Sequence, residues 1–410
     1  MGKPPAGEHR RRLAFQLEHL RSRDDEAVPS AIVKVLHLGK FYPPVKGGME
    51  TMLELICERT SRQVDNKVLV ANTGWATKEE HRGNVEVVRL AAIAKIGAVA
   101  VCPTLPFRLA TEDADLIVIH EPNPMALLAY FLARPAGTLV VWFHSEVIRP
   151  SWRYRLFYRP FLHFALSCAS RIVVASPTLA ASAPELHEWR SKCVVIPYGI
   201  QTPRVPPDEA VVRRAAAIRK EHSAPIVLFV GRLVTYKGVA VLLDAMSGVA
   251  AVTLIAGDGP RREALERHAQ TLGLGDRVKF LGEVAADELA ALYRACDVFV
   301  LPSITRQEAF GVVQIEAMAS AKPVISTDLG TGVAWVNPHL ETGLVVPPGD
   351  ALALRTAISR LLGDPLLQAA LGAAGAHRAR SVFGIDRMVD ATLGLYRDVM
   401  GEHDARKTVA

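Results

Sequence analysis

Two glutamates bracket a short, mostly apolar stretch, "EAFGVVQIE", from Glu308 to Glu316. Such a pair could be an acid/base couple, metal ligands, grips on a sugar, or two surface charges. Eight residues apart on one helix would not align, because a 3.6-residue period brings together positions three, four or seven apart. An apolar run, "DVFVLPS", and a polar one, "ITRQ", come just before. They put Glu308 in a loop after a strand and start a helix near Phe310-Gly311. Glu308 then crosses the helix mouth, and Glu316 sits about two turns down. The amides of Phe310, Gly311 and Val312 become first-turn donors suited to phosphate oxygens, and Gly311 lets a phosphate approach without a Cβ in the way. An ionised carboxylate accepts several hydrogen bonds and donates none, which suits hydroxyls. One acid could hold a sugar and the other a ribose. No His or Asp cluster at ligand spacing supports a metal.

Other groups leave strand ends in the same way. "GRLVTYKG" carries Arg232 and Lys237 between glycines after the strand "IVLFV". A guanidinium fork and an ammonium can together neutralise a diphosphate, although solvated loop cations are the commoner fate of such residues. Gly47-Gly48 opens a helix after the first strand. Its free amides fit an anion, or a simple tight turn. The pattern is not G-x-G-x-x-G, which weakens a dehydrogenase reading. His144 directly follows "VVWF" and fits either a substrate hydroxyl or a structural bond to backbone. "GDGP" and "FLGEV", with Gly282 and Val284, fit contacts to a planar base and also ordinary turns.

These positions need strands to present them. Runs such as "AIVKVLHLG", "NKVLVAN", "VEVVRL", "DLIVIH", "TLVVWFH", "RIVVAS" and "CVVIPYG" alternate with helical patterns. Periodicity breaks at "QTPRVPPDEA" and then resumes with "APIVLFVG", "AVTLIAG", "VKFLG", "VFVLPS", "KPVISTD" and "TGLVVPPGD". The pattern predicts an α/β protein of two doubly wound, Rossmann-like domains facing across a cleft, with ligands at the carboxyl ends of the strands. The expected boundaries are a poorly ordered basic extension over 1–30, a first domain over 31–205 and a second over 206–380. A helix over 381–400 and a tail over 401–410 follow.

The 410 residues carry a net charge of +6 and a pI near 9.1, too diluted to argue for nucleic acid but suited to an anionic ligand or membrane surface. Cys57, Cys102, Cys168, Cys193 and Cys296 match no zinc or disulfide spacing and read as buried, reduced thiols of a cytosolic protein. The N-terminus lacks the apolar core of a secretory signal. No run reads as a membrane span.

The ordered set of Gly47-Gly48, His144, "GRLVTYKG", "GDGP" and E-x7-E with its inner Phe-Gly resembles glycosyltransferase family 4, retaining enzymes of the GT-B fold, over roughly residues 31–400. The resemblance implies a nucleotide-sugar donor, no cofactor and no divalent metal. Gly47 and Gly48 would contact the donor phosphate region or sugar, and His144 the sugar near the reacting centre. Arg232 and Lys237 would stabilise the departing diphosphate. Glu308 would hold sugar hydroxyls, Phe310-Gly311-Val312 the phosphate, Glu316 the ribose, and Gly282–Val284 the base. The last helix would cross back to the first domain. Two departures stand out: Ala309 where many relatives have Gly, and Trp335 and Asn337 where many place an acid. The variant resembles members that build bacterial polysaccharides with mannose or rhamnose, and GDP-mannose is the favoured donor. A nucleotide-sugar epimerase or a phosphorylase on the same scaffold is the alternative.

Residues 147–169 interleave Arg149, Arg153, Arg155 and Arg159 with Trp152, Tyr154, Phe157, Tyr158, Phe161 and Phe164. On a helix this gives a basic, aromatic face. It suits a lipid-diphosphate acceptor or an anionic membrane, giving a cytoplasmic and peripheral location, or else a core helix with snorkelling arginines.

Overall fold

The computed structural model describes residues 32–409, apart from 46, 97–98, 148–151, 153 and 202–207. The expected N-terminal extension, most of the Pro-containing linker, and Arg149 and Arg153 therefore lie outside the described residues. The strands run in chain order as β1 (Lys34–Leu38), β2 (Asp65–Ala71), β3 (Lys78–Arg82), β4 (Val85–Leu90), β5 (Ala94–Ile96) and β6 (Val99–Val101). Then come β7 (Leu116–Glu121), β8 (Thr138–Phe143), β9 (Arg171–Val174) and β10 (Cys193–Val195). The second half holds β11 (Ile226–Val230), β12 (Val252–Ala256), β13 (Val278–Gly282), β14 (Val298–Leu301), β15 (Val324–Thr327) and β16 (Gly343–Val346).

The first sheet has the order β10-β9-β8-β7-β1-β2-β4-β3, and the second β13-β12-β11-β14-β15-β16. All their pairs are parallel except β3 with β4. Each anticipated strand is present. β3 and the antiparallel pair β5-β6 were not anticipated: "KEEHR" lies on an edge with its charges outward and has no apolar run to announce it.

Successive strand residues face opposite sides, so each sheet is buried twice. In the first domain, Leu36, Leu38, Ile117, Ile119, Val141 and Phe143 pack on one side. Val35, Val118, Val140 and Trp142 pack on the other, against Met388, Leu393, Tyr396 and Val399 of the last helix. The chain crosses between domains twice at one place: Ile200 N–H donates to Phe383 O (2.9 Å) and Ile385 N–H to Ile200 O (3.1 Å). The last helix, Ile385–Val409, begins right after this crossing, as part of the first domain's packing. It also runs beyond the expected end at 400, because Glu402 pairs with Arg171 and His403 meets the Thr138 hydroxyl at 3.2 Å.

Tyr396 is 1% exposed within this helix–sheet contact. Tyr396→Ala should cost about 3–5 kcal/mol, the usual range for emptying a large aromatic site. Urea denaturation followed by circular dichroism checks it; a loss under about 1 kcal/mol would show that the helix does not support the first domain.

Candidate active site

In open α/β sheets a ligand crevice forms where strand order reverses. In the second sheet that point lies between β11 and β14. The loop after β11 is 231–238 and the loop after β14 is 302–311. Gly238 joins them: its φ is +69°, and a Cβ there would lie 1.9 Å from Pro302 O. Ile304 N–H donates to Tyr236 O at 2.8 Å along the same contact.

The docked loops bring Lys237 Nζ within 2.5 Å of Glu308 Oε2, both side chains nearly buried. Ser303 Oγ donates to the same oxygen (3.0 Å), and Thr331 Oγ1 donates to Glu308 O (2.8 Å). The sequence reading gave the two charged groups to different parts of a ligand; the structure pairs them with each other. Arg232 is exposed on the same loop, and among the described residues it has no ion-pair partner.

The helix after Glu308 is Val312–Ala319, capped by Gly311 at φ +75°, so it starts a residue or two later than expected. A Cβ on Gly311 would meet Leu301 Cδ2 at 2.6 Å. Among the described residues, the amides of Gly311, Val312 and Val313 donate to no backbone carbonyl outside the helix. The Phe310 ring is 3% exposed and packs on Tyr198, Trp335 and Phe383. Glu316 is half-buried, and its Oε2 accepts from Tyr293 O–H at 2.7 Å. Burial raises its carboxyl above the usual range, opposed by that bond.

Gly282 and Val284 lie along the same sheet edge. Gly257 N–H donates to Gly282 O (2.7 Å), and a Cβ on Gly257 would sit 2.1 Å from Gly231 O. Gly282 itself is buried at φ +69°, and Val284 packs partly into the core. The turns after β13, β12 and β11 thus stack in strand order toward Glu308.

Across the cleft, Gly47 is the cap and Gly48 the first residue of the helix Gly48–Thr60. Nothing lies within 4 Å of a Cβ built on Gly48, so the space beside it is open. Burial raises the Glu50 carboxyl in the first turn of that helix, opposed by a backbone hydrogen bond and by the charges of Lys40 and, across the cleft, Arg232.

The sequence profile "Glycosyl transferases group 1" matches residues 213–378, and "Glycosyl transferase 4-like domain" matches 47–199. The O-antigen chain mannosyltransferase C of Escherichia coli is 31% identical over 90% of this chain and 99% of its own. The chain belongs to glycosyltransferase family 4. A D-rhamnosyltransferase of Pseudomonas aeruginosa is 33% identical over 86% of this glycosyltransferase and 92% of its own length. The sucrose-phosphate synthase structure from Thermosynechococcus elongatus superposes with a TM-score of 0.73 at 25% identity, covering 90% of this chain and all of that one. The fold is GT-B.

The transferase's two departures have structural partners. Ala309 O accepts from Gly332 N–H at 2.8 Å. Trp335 packs on Phe383 and Phe310, with Arg378 over its ring. Asn337 is buried and donates to Val324 O (3.2 Å) and Ser326 Oγ (3.0 Å). Trp335 packs against the second domain's core and Asn337 lies within it.

The transferase's His144 is also placed differently from the expected sugar contact. It is 4% exposed, with Nδ1 at 2.5 Å from Tyr198 O–H and Nε2 at 2.9 Å from His120 Nδ1. His120 Nε2 meets His37 Nδ1 (3.1 Å), and His37 Nε2 meets Asn66 Oδ1 (3.2 Å). Asn66 Nδ2 donates to Cys57 O and Thr60 Oγ1, and Thr60 Oγ1 donates onward to Ile56 O. This fixes Asn66 Oδ1 as an acceptor, and because burial disfavours the charged form of all three imidazoles, the neutral row runs one way and Tyr198 donates to His144.

The aromatic-basic segment divides. A π-turn, Tyr154–Tyr158, leads into the helix Arg159–Cys168. Tyr158 O–H donates to the buried Glu121 Oε2 (2.5 Å) and Tyr154 O–H to Glu185 (2.6 Å), while Phe161 and Phe164 pack against the core. Trp152, Leu156, Arg155 and Arg159 stay exposed. The face is therefore not uniformly aromatic: most aromatics point inward and the charges outward. Cys168 is exposed and Cys193 half-buried, so only three of the five thiols are buried as expected. Among the described residues no helix is long and apolar enough to cross a membrane, and no three His, Cys, Asp or Glu gather as metal ligands. Sequence reasoning missed Ser303, Thr331, Tyr198, Glu146 and Arg306, whose partners are distant in the chain or carry no local pattern.

Burial lowers His37 to about 4 and His144 to about 3, and holds His120 well below its ordinary value. A folded-state pKa below the unfolded one means that the unfolded chain binds more protons as pH falls. The stabilisation is then full above about pH 6.5 and lost below it. The stability difference between the wild type and His144→Gln should be constant above that pH and shrink by up to about 1.4 kcal/mol per unit below it. Burial raises Glu121 to about 7 and acts in the opposite sense, but equally in both proteins. Urea midpoints from pH 8 to pH 4.5 check this, and a flat difference would remove the neutral-imidazole assignment.

Proposed function

We propose that the enzyme transfers a hexose, with retention, from a nucleotide-diphosphate sugar to a glycan or lipid-linked glycan in surface polysaccharide synthesis. GDP-mannose is the donor we favour. The observation that carries the reading is the Lys237–Glu308 pair beside the capped start of the 312–319 helix, at the strand-order reversal of the second sheet. The mannosyl and rhamnosyl relatives support the sugar class.

The reaction breaks the bond from C1 to the β-phosphate oxygen, and negative charge collects on that phosphate. Arg232, Lys237 and the amides of Gly311 and Val312 stabilise it most where it is largest, in the transition state. We assign this neutralisation to fixed cations and helix-end dipoles rather than to a divalent ion. With the phosphate in place, Lys237 shares its charge between it and Glu308. Glu308 then orients sugar hydroxyls through its remaining acceptor sites. Glu316 holds the ribose by Oε1, and Gly282–Val284 flank the base. The open space beside Gly48 admits the phosphate or sugar to the first domain's amides. The acceptor hydroxyl attacks C1 on the face that the phosphate leaves, and its proton passes to the leaving phosphate. In this reading His144 acts on the sugar side through Tyr198 rather than by direct contact. Domain closure keeps water from the donor.

Arg232→Ala, Lys237→Ala and Glu308→Ala should each lower kcat/KM by about 10²–10³ with the fold intact, as for loss of a transition-state donor. Chromatographic assay of sugar transfer checks this. In a thermal-shift screen of UDP, GDP and ADP, one nucleotide should stabilise the protein by about 2.7 kcal/mol at a hundredfold excess over Kd. Near-full transfer by all three variants would refute the site, as would stabilisation by no nucleotide.

We further propose a cytoplasmic, peripheral location, with Trp152, Leu156, Arg155 and Arg159 meeting an anionic bilayer. Their exposure together on one segment supports it. The protein should float with phosphatidylglycerol vesicles at low salt and release at high salt. Failure to float at low salt ends the membrane proposal.

A further inference from the structure

The first domain touches the Glu308 loop on both sides of that glutamate. Two residues before it, Arg306 Nε donates to Glu146 Oε2 (3.0 Å) and Nη2 donates to Glu146 Oε1 and to Ser182 Oγ (2.9 Å). Two residues after it, the Phe310 ring meets Tyr198 edge-on, with centroids 4.9 Å apart. Glu146, Ser182 and Tyr198 all belong to the first domain. The remaining Arg306 nitrogen, Nη1, donates to Gly330 O (2.9 Å) and Leu329 O (3.3 Å) of its own domain. One guanidinium therefore spans the cleft. Its fork matches the carboxylate in a two-point geometry, which fixes direction as well as distance. The Glu146 side chain is only 9% exposed, so losing its partner would leave a nearly buried charge.

We propose that Glu146 is a positioning residue for sugar transfer: through Arg306 it fixes the loop carrying Glu308 only while the two domains are closed. The inference rests on the reading of Glu308 as the sugar grip. The Lys237–Glu308 pair, the Gly311 cap and Glu316 lie wholly in the second domain, so an open enzyme keeps its nucleotide site. What opening removes is the restraint at 306 and 310. The sugar grip is thus complete only when the acceptor domain has arrived and water has been expelled. Donor binding and transfer then depend on different states of the molecule.

The test uses the full chain with Glu146→Arg, Arg306→Glu and the two combined. Each single change sets like charges face to face, and the double change restores opposite ones. Small-angle scattering without ligand should give a larger radius of gyration for each single variant and a return toward the wild-type value for the double. Affinity for the nucleoside diphosphate that binds the wild type should change less than about twofold, while kcat for transfer falls about tenfold or more. Hydrolysis of donor per sugar transferred should rise, which a merely structural role would not cause. The double variant should regain part of both. Single variants with unchanged scattering overturn the proposal, as does a kcat loss that the double variant does not relieve. A wild type that turns over no nucleotide sugar strikes the functional reading instead, and the scattering series still decides whether the pair holds the domains together.

Discussion

A missing Cβ at Gly238 holds the donor half together. Pro302 O occupies the place where that carbon would sit, 1.9 Å away, and the backbone is left-handed at φ +69°. Any other residue would push the 231–238 loop off the 302–311 loop. Lys237 and Glu308 are 71 residues apart in the chain and meet only because those loops touch. The same device repeats along the sheet edge, where Gly257 lies against Gly231 O and Gly259 against Leu233 O. The charges at the cleft are placed by packed backbone turns and not by long side chains reaching from afar. A site built this way has little to reorganise when charge develops on a leaving phosphate.

The same loop is tied to the hinge. Phe310 packs edge-on against Phe383 (5.9 Å), and Phe383 O receives the hydrogen bond from Ile200 at the crossing between domains. Trp335 and Arg378 complete the cluster. The glutamate loop therefore has the hinge on one side and the Glu146 contact on the other. Trp335 fits this arrangement, since its ring supports both Phe310 and Phe383.

Much of the fold was legible because thirteen of the sixteen strands are apolar runs at the end of a period-two or fully buried pattern. Glu308, Lys237 and Gly311 were legible for a related reason: chemistry placed just after such strands faces the cleft in this class of sheet. The edge strand "KEEHR" was not, since it pairs on one side only and buries little. Arg306 was illegible because its meaning lies in Glu146, which is 160 residues away on another domain. The aromatic segment misled by composition. Tyr158 and Tyr154 are aromatic and near arginines, yet their hydroxyls are bound inward to Glu121 and Glu185.

His144 was read from its place at a strand end, and position alone cannot show what its ring meets. That depends on register: His37 lies opposite Val118 on β7, and His120 opposite Trp142 on β8, so the three imidazoles follow a diagonal across β1, β7 and β8. The chain has a fixed sense because burial keeps the imidazoles neutral and Asn66 ends it with an acceptor. Tyr198 must then donate to His144, and its oxygen keeps lone pairs facing away from the ring. A sugar hydroxyl could reach His144 Nδ1 only by taking the place of Tyr198. That displacement would also remove the edge contact with Phe310. The buried polar row is thus better understood as the support that sets Tyr198 against the donor loop than as a group waiting for substrate.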